Sequence, residues 1–374
     1  MSGSVALVTG FPTSFLATRV VRKILAEEPG TEIRCVVQAK FKERAEALIR
    51  ALRPGDAERV RLYDGDVTSM DLGLSGSEIV ELARRVRVIH HCAAATYLGV
   101  SREVAERLNV EGVREVLELA RDATGLERLV HWSSALVSGG RTGWVREDEL
   151  KAPAGFRNVV EETRFRGEAL VRHAMDRVPV TILRPAIGVG DSKTGEIDRF
   201  EGPYLLVLFM LSSPVDLRVP LPGRGDAMLN LVPIDYVVDA GYLISTDTRA
   251  IGRTFHLVDP EPVTAREVFE RIAEAAGRPM PRGFLPTTLA TALLRAPGLE
   301  RFVQAPRTFL EQLATDVSYD ARNTRLIVGD RLRCPPFSSY VETMVRHVRS
   351  ELAQRDGTSP PLDADALAEL DPLG

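Results

Sequence analysis

Residues 5–25, VALVTGFPTSFLATRVVRKIL, combine an apolar run, a glycine and the start of an amphipathic helix. Backbone amides at a helix N-terminus bind phosphate groups, because these unpaired N–H groups carry partial positive charge. The run ends at Thr9-Gly10 and a helix is predicted to open at about Ser14, so this turn could hold the pyrophosphate of a dinucleotide. The residues predicted to contact the cofactor here are Gly10, Phe11, Thr13, Ser14, Phe15 and Leu16.

The turn departs from the usual dinucleotide fingerprint, which has three glycines. Only Gly10 is kept. Aligning FLA with the usual FLG places Ser14 and Ala17 at the other two positions, with one additional residue in the turn. Ala17 is an accepted final residue, whereas Ser14 brings a Cβ and a hydroxyl to a point where the backbone should approach the phosphates. Two interpretations stay open: a modified cofactor site and a purely structural turn.

The end of the second predicted strand bears on which nucleotide binds. An Asp or Glu at this point bonds the free 2'-hydroxyl of NAD(H), but the strand continues as CVVQAKFKERA, residues 35–45. Gln38 and Lys40, followed by Lys42 and Arg44, offer amide and cationic donors that suit a 2'-phosphate. An exposed helix start would give the same pattern. We predict NADP(H) as the cofactor, with NAD(H) as the alternative.

These residues require a scaffold that brings strand ends together. Up to residue 185, runs rich in Val, Ile and Leu alternate with helical segments, which predicts strands covered on both faces. The fold class is therefore α/β, a doubly wound parallel Rossmann sheet with ligand at the carboxyl ends of its strands. Predicted strands are SVALVTG, EIRCVVQ, VRLYDGDV, VRVIHHCAA, RLVHWSSA and VPVTILRP, and predicted helices cover 15–28, 41–52, 77–85, 101–122 and 158–175.

The alternation stops after Pro185, which predicts a second, smaller region. We predict a Rossmann domain over 1–185 to which part of 228–260 returns, a partly interleaved substrate lid over 186–350, and a flexible polar tail over 354–374. The lid contains helices near 264–276 and 338–353. The apolar run 204–211 is far shorter than the ~20 residues that span a bilayer. It is either a buried lid helix or the wall of a pocket for an apolar substrate, to which 289–303 could contribute.

Composition limits the classes of function. A 44% hydrophobic and 27% charged chain of 374 residues is typical of soluble globular proteins, and a net charge of -4 gives no reason to expect a nucleic-acid partner. The three cysteines, Cys35, Cys92 and Cys334, lack the paired spacing of a disulfide framework or a metal site. The N-terminus has no signal-peptide pattern. We expect a cytoplasmic protein without a transmembrane segment or bound metal; a homodimer is compatible with the sequence.

Several motifs occur in the order seen in extended short-chain dehydrogenase/reductases. They are GDVTSMDLGLS at 65–75, IHHCAAATYLGVSREVAERLNVEG at 89–112, WSSALVSGG at 132–140, the helix at 158–172 and LRPAIGVGDSKTG at 183–195. The chain resembles this superfamily, with its NAD-dependent epimerases and dehydratases, over roughly residues 4–350. The DLGLS motif makes it most similar to the branch of thioester reductases and fatty acyl-CoA reductases.

The resemblance implies positions for several further residues. Asp66 and Val67 are expected beside the adenine, Ala93 and Ala94 beneath the adenosine ribose and phosphates, and Asn109 behind the active site. In the same family Pro185 would lie beside the nicotinamide and Ser134 would hold the substrate oxygen. Tyr97, just past the fourth strand, falls where such enzymes contact substrate.

The catalytic positions of the family are altered. Such enzymes use a Tyr as proton donor and a Lys that binds the nicotinamide ribose and lowers the pKa of the Tyr, whose ordinary value is ~10. Val160 stands at the Tyr position and Arg164 at the Lys position. Arg164 can still supply a positive charge and donate a hydrogen bond to a ribose hydroxyl. Its planar guanidinium, however, directs its donors differently from the ammonium of a lysine. Tyr97 is the candidate substitute donor; Ser133, His131 and Tyr204 are less favourably placed.

Three functions follow from this resemblance. The first is an NAD(P)H-dependent oxidoreductase for a hydrophobic carbonyl or acyl substrate, aligned by Ser134, with the proton coming from Tyr97, water or the substrate. The second is a non-catalytic protein that binds a nucleotide or a lipid-like ligand on a degenerate scaffold. The third, an isomerase or dehydratase, has no positive support in the sequence.

Overall fold

The computed structural model describes residues 4–97, 99–212, 221–222, 224–285 and 317–355. A seven-stranded sheet of order β3-β2-β1-β4-β5-β7-β12 forms its centre, and every neighbouring pair is parallel. These strands are β1 (Val5–Thr9), β2 (Glu32–Val37), β3 (Val60–Asp64), β4 (Val86–His91), β5 (Arg128–Trp132), β7 (Val180–Pro185) and β12 (Arg253–Leu257). The predicted α/β class with a parallel Rossmann sheet is confirmed.

Short strands pair outside this sheet. They are β6 (Gly143–Val145), β8 (Ile187–Val189), β9 (Leu221–Pro222), β10 (Met228–Leu229), β11 (Leu231–Pro233), β13 (Val263–Thr264), β14 (Phe284–Leu285) and β15 (Val317–Tyr319). The β8–β11 pair is parallel, and β8 directly follows β7, so the chain passes from the central sheet into this pair.

The predicted helices begin close to their expected starts, and the structure adds three that were not predicted. They are α1 (Phe15–Glu27), α2 (Lys42–Arg50), α3 (Pro54–Ala57), α4 (Gly76–Arg85), α5 (Arg102–Glu106), α6 (Gly112–Asp122), α7 (Val159–Ala174), α8 (Pro203–Ser212), α9 (Ile234–Ser245), α10 (Ala265–Ala276), α11 (Arg322–Val328) and α12 (Val341–Arg355). The three additions are α3, α9 and α11. One difference stands out in the predicted helix 101–122. A π-helical turn, Arg107–Glu111, separates α5 from α6.

Side-chain caps stabilise the N-termini of α1 and α7. Ser14 precedes α1 and its Oγ accepts a hydrogen bond from the amide of Ala17, 3.2 Å away. Asn158 precedes α7 and its Oδ1 accepts from the amide of Glu161 at 3.0 Å. A cap of this kind stabilises a helix by about 1 kcal/mol. Ser14 and Asn158 therefore favour helix starts at the positions observed.

Apolar layers cover both faces of the sheet, which explains why its strands are continuous apolar runs. On one face, Ile24 of α1 and Ile244 of α9 belong to the same buried cluster. On the other, Leu82 of α4, Val116 of α6 and Val171 of α7 pack together. Each of these side chains is almost fully buried, and such burial stabilises the fold by roughly 1.5–3 kcal/mol per residue.

A separate apolar cluster lies beyond the sheet, where α8, α10 and α12 pack together. Val207 of α8, Ile272 of α10 and Val348 of α12 have no exposed surface. The run 204–211 is therefore a buried helix. Within the described ranges, no helix is long and apolar enough to cross a membrane.

Some predictions are not tested by this architecture. The domain boundaries at 185 and 350 stay predictions, although residues 253–257 do form the edge strand β12 beside β7. The segment 289–303 and the tail from residue 356 lie outside the described residues.

Candidate functional site

A cavity of about 600 Å³ opens at the carboxyl ends of the central strands. It lies between β1 and β4, where the order of successive strands along the sheet reverses, the usual ligand position in an open parallel sheet. Its wall includes most residues predicted for cofactor and substrate. These are Gly10, Phe11, Thr13, Ser14, Phe15, Leu16, Gln38, Val67, Ala93, Ala94, Tyr97, Ser134, Val160, Arg164 and Pro185.

Three predicted residues do not line this cavity: Lys40, Asp66 and Asn109. The ammonium of Lys40 lies 5.0 Å from the centre of the Phe41 ring. The Asp66 carboxylate closes its own turn, accepting from the amide and the hydroxyl of Thr68 at 2.8 Å each. A carboxylate used in this way is less available to a nucleotide, so a direct adenine contact by Asp66 stays a prediction.

The turn after β1 has one position that requires glycine. Gly10 has φ +88, and a Cβ there would come within 2.8 Å of the Ala93 backbone nitrogen, so the turn and the end of β4 touch directly. Ser14 does not obstruct this contact. Its hydroxyl instead accepts from the amide of Ala17, which removes one of the donors that a phosphate could use. The glycine fits a cradle for a dinucleotide, with one fewer amide donor than a three-glycine turn.

Asn109 lies beneath the cavity, in the π-helical turn between α5 and α6. Its amide accepts from the Ala95 nitrogen, donates to the Ala95 carbonyl, and donates to the Thr163 hydroxyl. Helix α7 reaches this turn because residue 167 is glycine: an added Cβ would lie 2.1 Å from the Asn109 carbonyl oxygen. Asn109 thus holds the segment after β4 against α7, which carries Val160 and Arg164.

Adjacent serines at the end of β5 have different environments. Ser133 is buried and donates a 2.6 Å hydrogen bond to Glu168. Ser134 is partly exposed to the cavity, and its Oγ accepts from the Leu136 amide at 3.2 Å. Because a hydroxyl can donate and accept at once, Ser134 can still donate to a substrate oxygen. Ser133 instead uses its hydroxyl to bond the buried Glu168.

A buried ion pair fixes this part of the scaffold. Arg184 of β7 donates to both oxygens of Glu168, at 2.9 and 2.5 Å, and neither side chain is appreciably exposed. Arg172 donates to the same carboxylate at 2.8 Å. Burial would raise the pKa of Glu168, but these guanidiniums and Ser133 outweigh it and lower that pKa to about 2. The charge holds α7 against β5 and β7.

Arg164 and Val160 occupy the cavity wall on the same side of α7. Arg164 donates from Nη2 to the Trp132 carbonyl oxygen at 2.7 Å. Burial lowers the pKa of Arg164 to about 10, against the opposing effect of Glu168, so the side chain stays cationic at neutral pH. Val160 is 6% exposed and brings no exchangeable proton.

The histidines near the cavity are unsuited to proton transfer. His91 and His131 stack with ring centroids 5.5 Å apart, and His91 Nδ1 is 2.9 Å from the Thr9 hydroxyl. Burial lowers the pKa of His131 to about 3 and that of His90 to about 4. Neutral imidazoles buried in this way act as structural groups. Tyr204 is also buried, and its hydroxyl donates to the Gly195 carbonyl.

Tyr97 belongs to a polar cluster that the sequence did not indicate. The Arg199 guanidinium lies 4.6 Å from the centre of the Tyr97 ring and 3.6 Å from Glu201, and all three residues line the cavity. Burial raises the pKa of Tyr97, and Arg199 opposes this shift. Burial also raises the pKa of Glu201 to about 7. Arg199 and Glu201 follow β8 in an irregular loop, where neither periodicity nor motif spacing marks them.

The sequence model of an NAD-binding family described as "Male sterility protein" matches residues 8–241. The parallel Rossmann sheet and the cavity at its switch point define the same class, and the chain belongs to this family of extended short-chain dehydrogenase/reductases. A dinucleotide fits the observed cradle, in which Gly10 allows close approach and the N-terminus of α1 faces the cavity. The described residues contain no group of side chains arranged to hold a metal ion.

Individual relatives agree with this membership. The chain is 30% identical over 217 residues to glycine betaine reductase ATRR of Emericella nidulans, covering 57% of this chain and 17% of that protein. It is 25% identical over 268 residues to the fatty acyl-CoA reductase wat of Drosophila melanogaster, covering 61% and 51%. The chain thus spans about half or less of these relatives.

Solved structures show the same architecture. The terminal R domain of the myxalamid PKS-NRPS pathway superposes with a TM-score of 0.79 at 27% identity, covering 94% of this chain and 92% of that one. A UDP-glucuronic acid 4-epimerase of Bacillus cereus in complex with NAD superposes with a TM-score of 0.66 at 16% identity, covering 92% and 97%. The second likeness concerns the fold alone.

Proposed function

We propose that this protein is a reductase that prefers NADPH and acts on a hydrophobic carbonyl or acyl substrate, such as a long aldehyde or a thioester. The observation that carries the proposal is a single cavity that joins the phosphate turn at Gly10 to Ser134, Arg164 and Tyr97. Relatives named as fatty acyl-CoA reductase and aldehyde reductase support the substrate class.

The proposed roles follow from the position of each group. The turn at Gly10 and the N-terminus of α1 hold the pyrophosphate, and Arg164 contacts the nicotinamide ribose while bonded to Trp132. When bound, NADPH supplies a hydride for the substrate carbonyl carbon. The Ser134 hydroxyl orients the carbonyl oxygen, and positioning of this kind lowers the barrier without any change in protonation.

The proton comes from Tyr97 in this proposal. Val160 cannot supply it, and the histidines are buried and neutral. The Tyr97 phenol is a cavity group, and a phenol of ordinary pKa ~10 is protonated at neutral pH. Burial raises the pKa of Tyr97 further. A general acid contributes roughly 10²–10⁴ in rate, so water can sustain slower turnover when the phenol is removed.

A second candidate function is binding of nucleotide or a lipid-like ligand without turnover. The observation in its favour is that one Arg164 nitrogen is already bonded to the Trp132 carbonyl, while Val160 removes the family's usual acid. Both changes weaken the standard chemistry and leave the cradle at Gly10 intact.

One experiment separates the two functions. Trp132 lines the cavity, so its fluorescence reports binding, and a Trp144→Phe background removes the other, exposed tryptophan. NADPH and NADH are titrated, and a fatty aldehyde or an acyl thioester is then added while NADPH absorbance is followed. Binding followed by oxidation supports the reductase, and binding without oxidation supports the second candidate. No binding even at millimolar nucleotide overturns both cofactor-dependent proposals.

A further inference from the structure

Tyr97, Arg199 and Glu201 form a continuous cluster on the cavity wall formed by the segment after β4 and the loop before α8. The Arg199 guanidinium stands between the other two, 4.6 Å from the Tyr97 ring centre and 3.6 Å from the Glu201 carboxylate. Arg199 and Glu201 side chains are only 25% and 28% exposed. Partial burial strengthens their electrostatic effect on the phenol.

The Tyr97 ring also packs against the backbone of a residue close to it in sequence, Gly99. A Cβ added at Gly99 would come 2.5 Å from the phenol oxygen, so the ring lies directly against that residue. Glycine at this position gives the hydroxyl room to lie there. The Tyr97 phenol is thus held between the Gly99 backbone, next to its hydroxyl, and the Arg199 guanidinium, which lies over its ring.

We propose that Arg199 stabilises the phenolate of Tyr97 during proton transfer. This inference rests on the proposed function. A phenol and a cation would then work together, as in the family, but from the segment after β4 and the loop before α8 rather than from α7. Arg199 is a positioning and tuning residue, because it acts through Tyr97.

The proton balance is simple. The O–H bond of Tyr97 breaks as a new O–H bond forms on the substrate carbonyl oxygen, and the phenolate keeps the electron pair. The Arg199 cation stabilises that negative charge, since an opposite charge at this range favours the ionised form. A proton from solvent then returns to the phenolate and restores the phenol.

An alternative role for Arg199 is binding of an anionic group on the substrate. The charges nearby argue against it. Asp198 lies beside Arg199 on the cavity wall and Glu201 is already its partner, so two carboxyl groups accompany one guanidinium. An incoming anion would meet these carboxylates, which favours an internal use of the cation.

The first test measures the phenol without any turnover. Ultraviolet titration of tyrosinate in the intact protein, with Tyr97→Phe subtracted, gives the Tyr97 pKa. Arg199→Met should raise it by about one unit, because the opposing charge is lost, and Arg199→Lys should restore part of the shift. Of the charged groups that act on the phenol, Arg199 and Glu201, only the first is changed. An unchanged Tyr97 pKa in Arg199→Met overturns the proposal.

Matched controls lie outside the cavity. Tyr63 has the Arg34 guanidinium 6.0 Å from its ring centre, and Arg266 lies 5.2 Å from the Phe284 ring centre. Tyr63→Phe and Arg266→Met should leave NADPH oxidation with a fatty aldehyde unchanged. Each removes a phenol or a guanidinium from a similar contact without touching the proposed acid.

The second test uses that oxidation assay. Arg199→Met should lower kcat roughly tenfold and leave KM unchanged, and it should cause no further loss in a Tyr97→Phe background. Additive losses from Arg199→Met and Tyr97→Phe would contradict the inference while leaving the reductase intact. A wild-type protein that binds NADPH but never oxidises it would instead contradict the proposed function.

Discussion

Arg164 donates a hydrogen bond from its guanidinium to the main-chain carbonyl oxygen of Trp132, 2.7 Å away. This bond joins α7 to the last residue of β5, immediately before Ser133 and Ser134. It therefore keeps a cation close to the proposed substrate oxygen while occupying one of the donors that a ribose would need. Arg164 thus retains the positive charge of the family's lysine position, but one of its hydrogen-bond donors is used by the Trp132 carbonyl oxygen.

Restoring the family's Tyr and Lys on α7 tests whether the position of Val160 can still serve as the proton-donor site. Val160→Tyr combined with Arg164→Lys adds a phenol where a buried valine now stands. If Tyr97 is the donor, the added bulk should lower turnover of the best aldehyde or thioester. Steady-state kinetics of the double variant measure this, with Val160→Ile as a control for bulk without a phenol. A gain of activity from an undetectable baseline would favour the binding-protein interpretation.

Gly10→Ala should weaken NADPH binding by roughly tenfold or more. A side chain at positive φ costs about 1–2 kcal/mol and its Cβ would meet the Ala93 backbone, so the turn would have to move from the position in which it holds the pyrophosphate. Fluorescence titration measures the Kd. Gly30→Ala is the matched control, since a Cβ there has no atom within 4 Å. Equal NADPH affinity in both variants would mean that the turn after β1 does not hold the pyrophosphate.

Cofactor preference gives another prediction. Lys40→Ala with Lys42→Ala should reduce NADPH affinity to that for NADH. Neither lysine lines the cavity, but both follow the cavity residue Gln38, and their charges would attract a 2'-phosphate from a short distance. Isothermal titration with both nucleotides measures the preference, and Lys23→Ala, on α1 and paired with Glu27 and Asp239, controls for net charge. A wild-type protein that binds NADH more tightly would contradict the prediction of NADP(H).

Much of this fold follows from local pattern. The strand runs are apolar because both faces are covered, and Ser14 and Asn158 mark helix starts through their caps. The π-helical turn at Arg107–Glu111 was not predictable in this way. Its backbone is held by tertiary contacts, with Asn109 bonded to Ala95 and Thr163, and these form only after the chain has folded.

The site was predictable where motifs mark it and not elsewhere. Ser134, Arg164 and Gly10 stand at strand ends or on a helix with fixed spacing, and all three line the cavity. Arg199 and Glu201 come from an irregular loop whose path depends on packing rather than periodicity. Lys40 was selected for its charge alone, and charge gives no information about direction; it does not line the cavity.

Glu168→Gln should destabilise the fold by about 3 kcal/mol, because removing one charge of a buried pair leaves the other uncompensated. Arg184 would keep its charge in a fully buried position. The wild-type pKa is lowered to about 2 from an ordinary 4.5, so this stability is present above pH 4.5 and is lost as pH falls toward 2. Urea unfolding at several pH values measures both effects.

The control for that experiment is Glu162→Gln, which removes the partner of the exposed Arg102. Surface pairs contribute little to stability, so this variant should unfold at nearly the wild-type urea concentration. Equal losses in the two variants would contradict the importance assigned to the buried pair.

The most direct test of the central claim is a single-turnover experiment with excess protein, NADPH and a fatty aldehyde, comparing wild type with Tyr97→Phe. The account predicts that wild type oxidises NADPH, and that Tyr97→Phe does so roughly 10²–10⁴ times more slowly with the same NADPH Kd. Solvent deuterium should slow the wild-type step, because the phenol proton moves in it. Equal rates in the two proteins would contradict the assignment of Tyr97 as the proton donor.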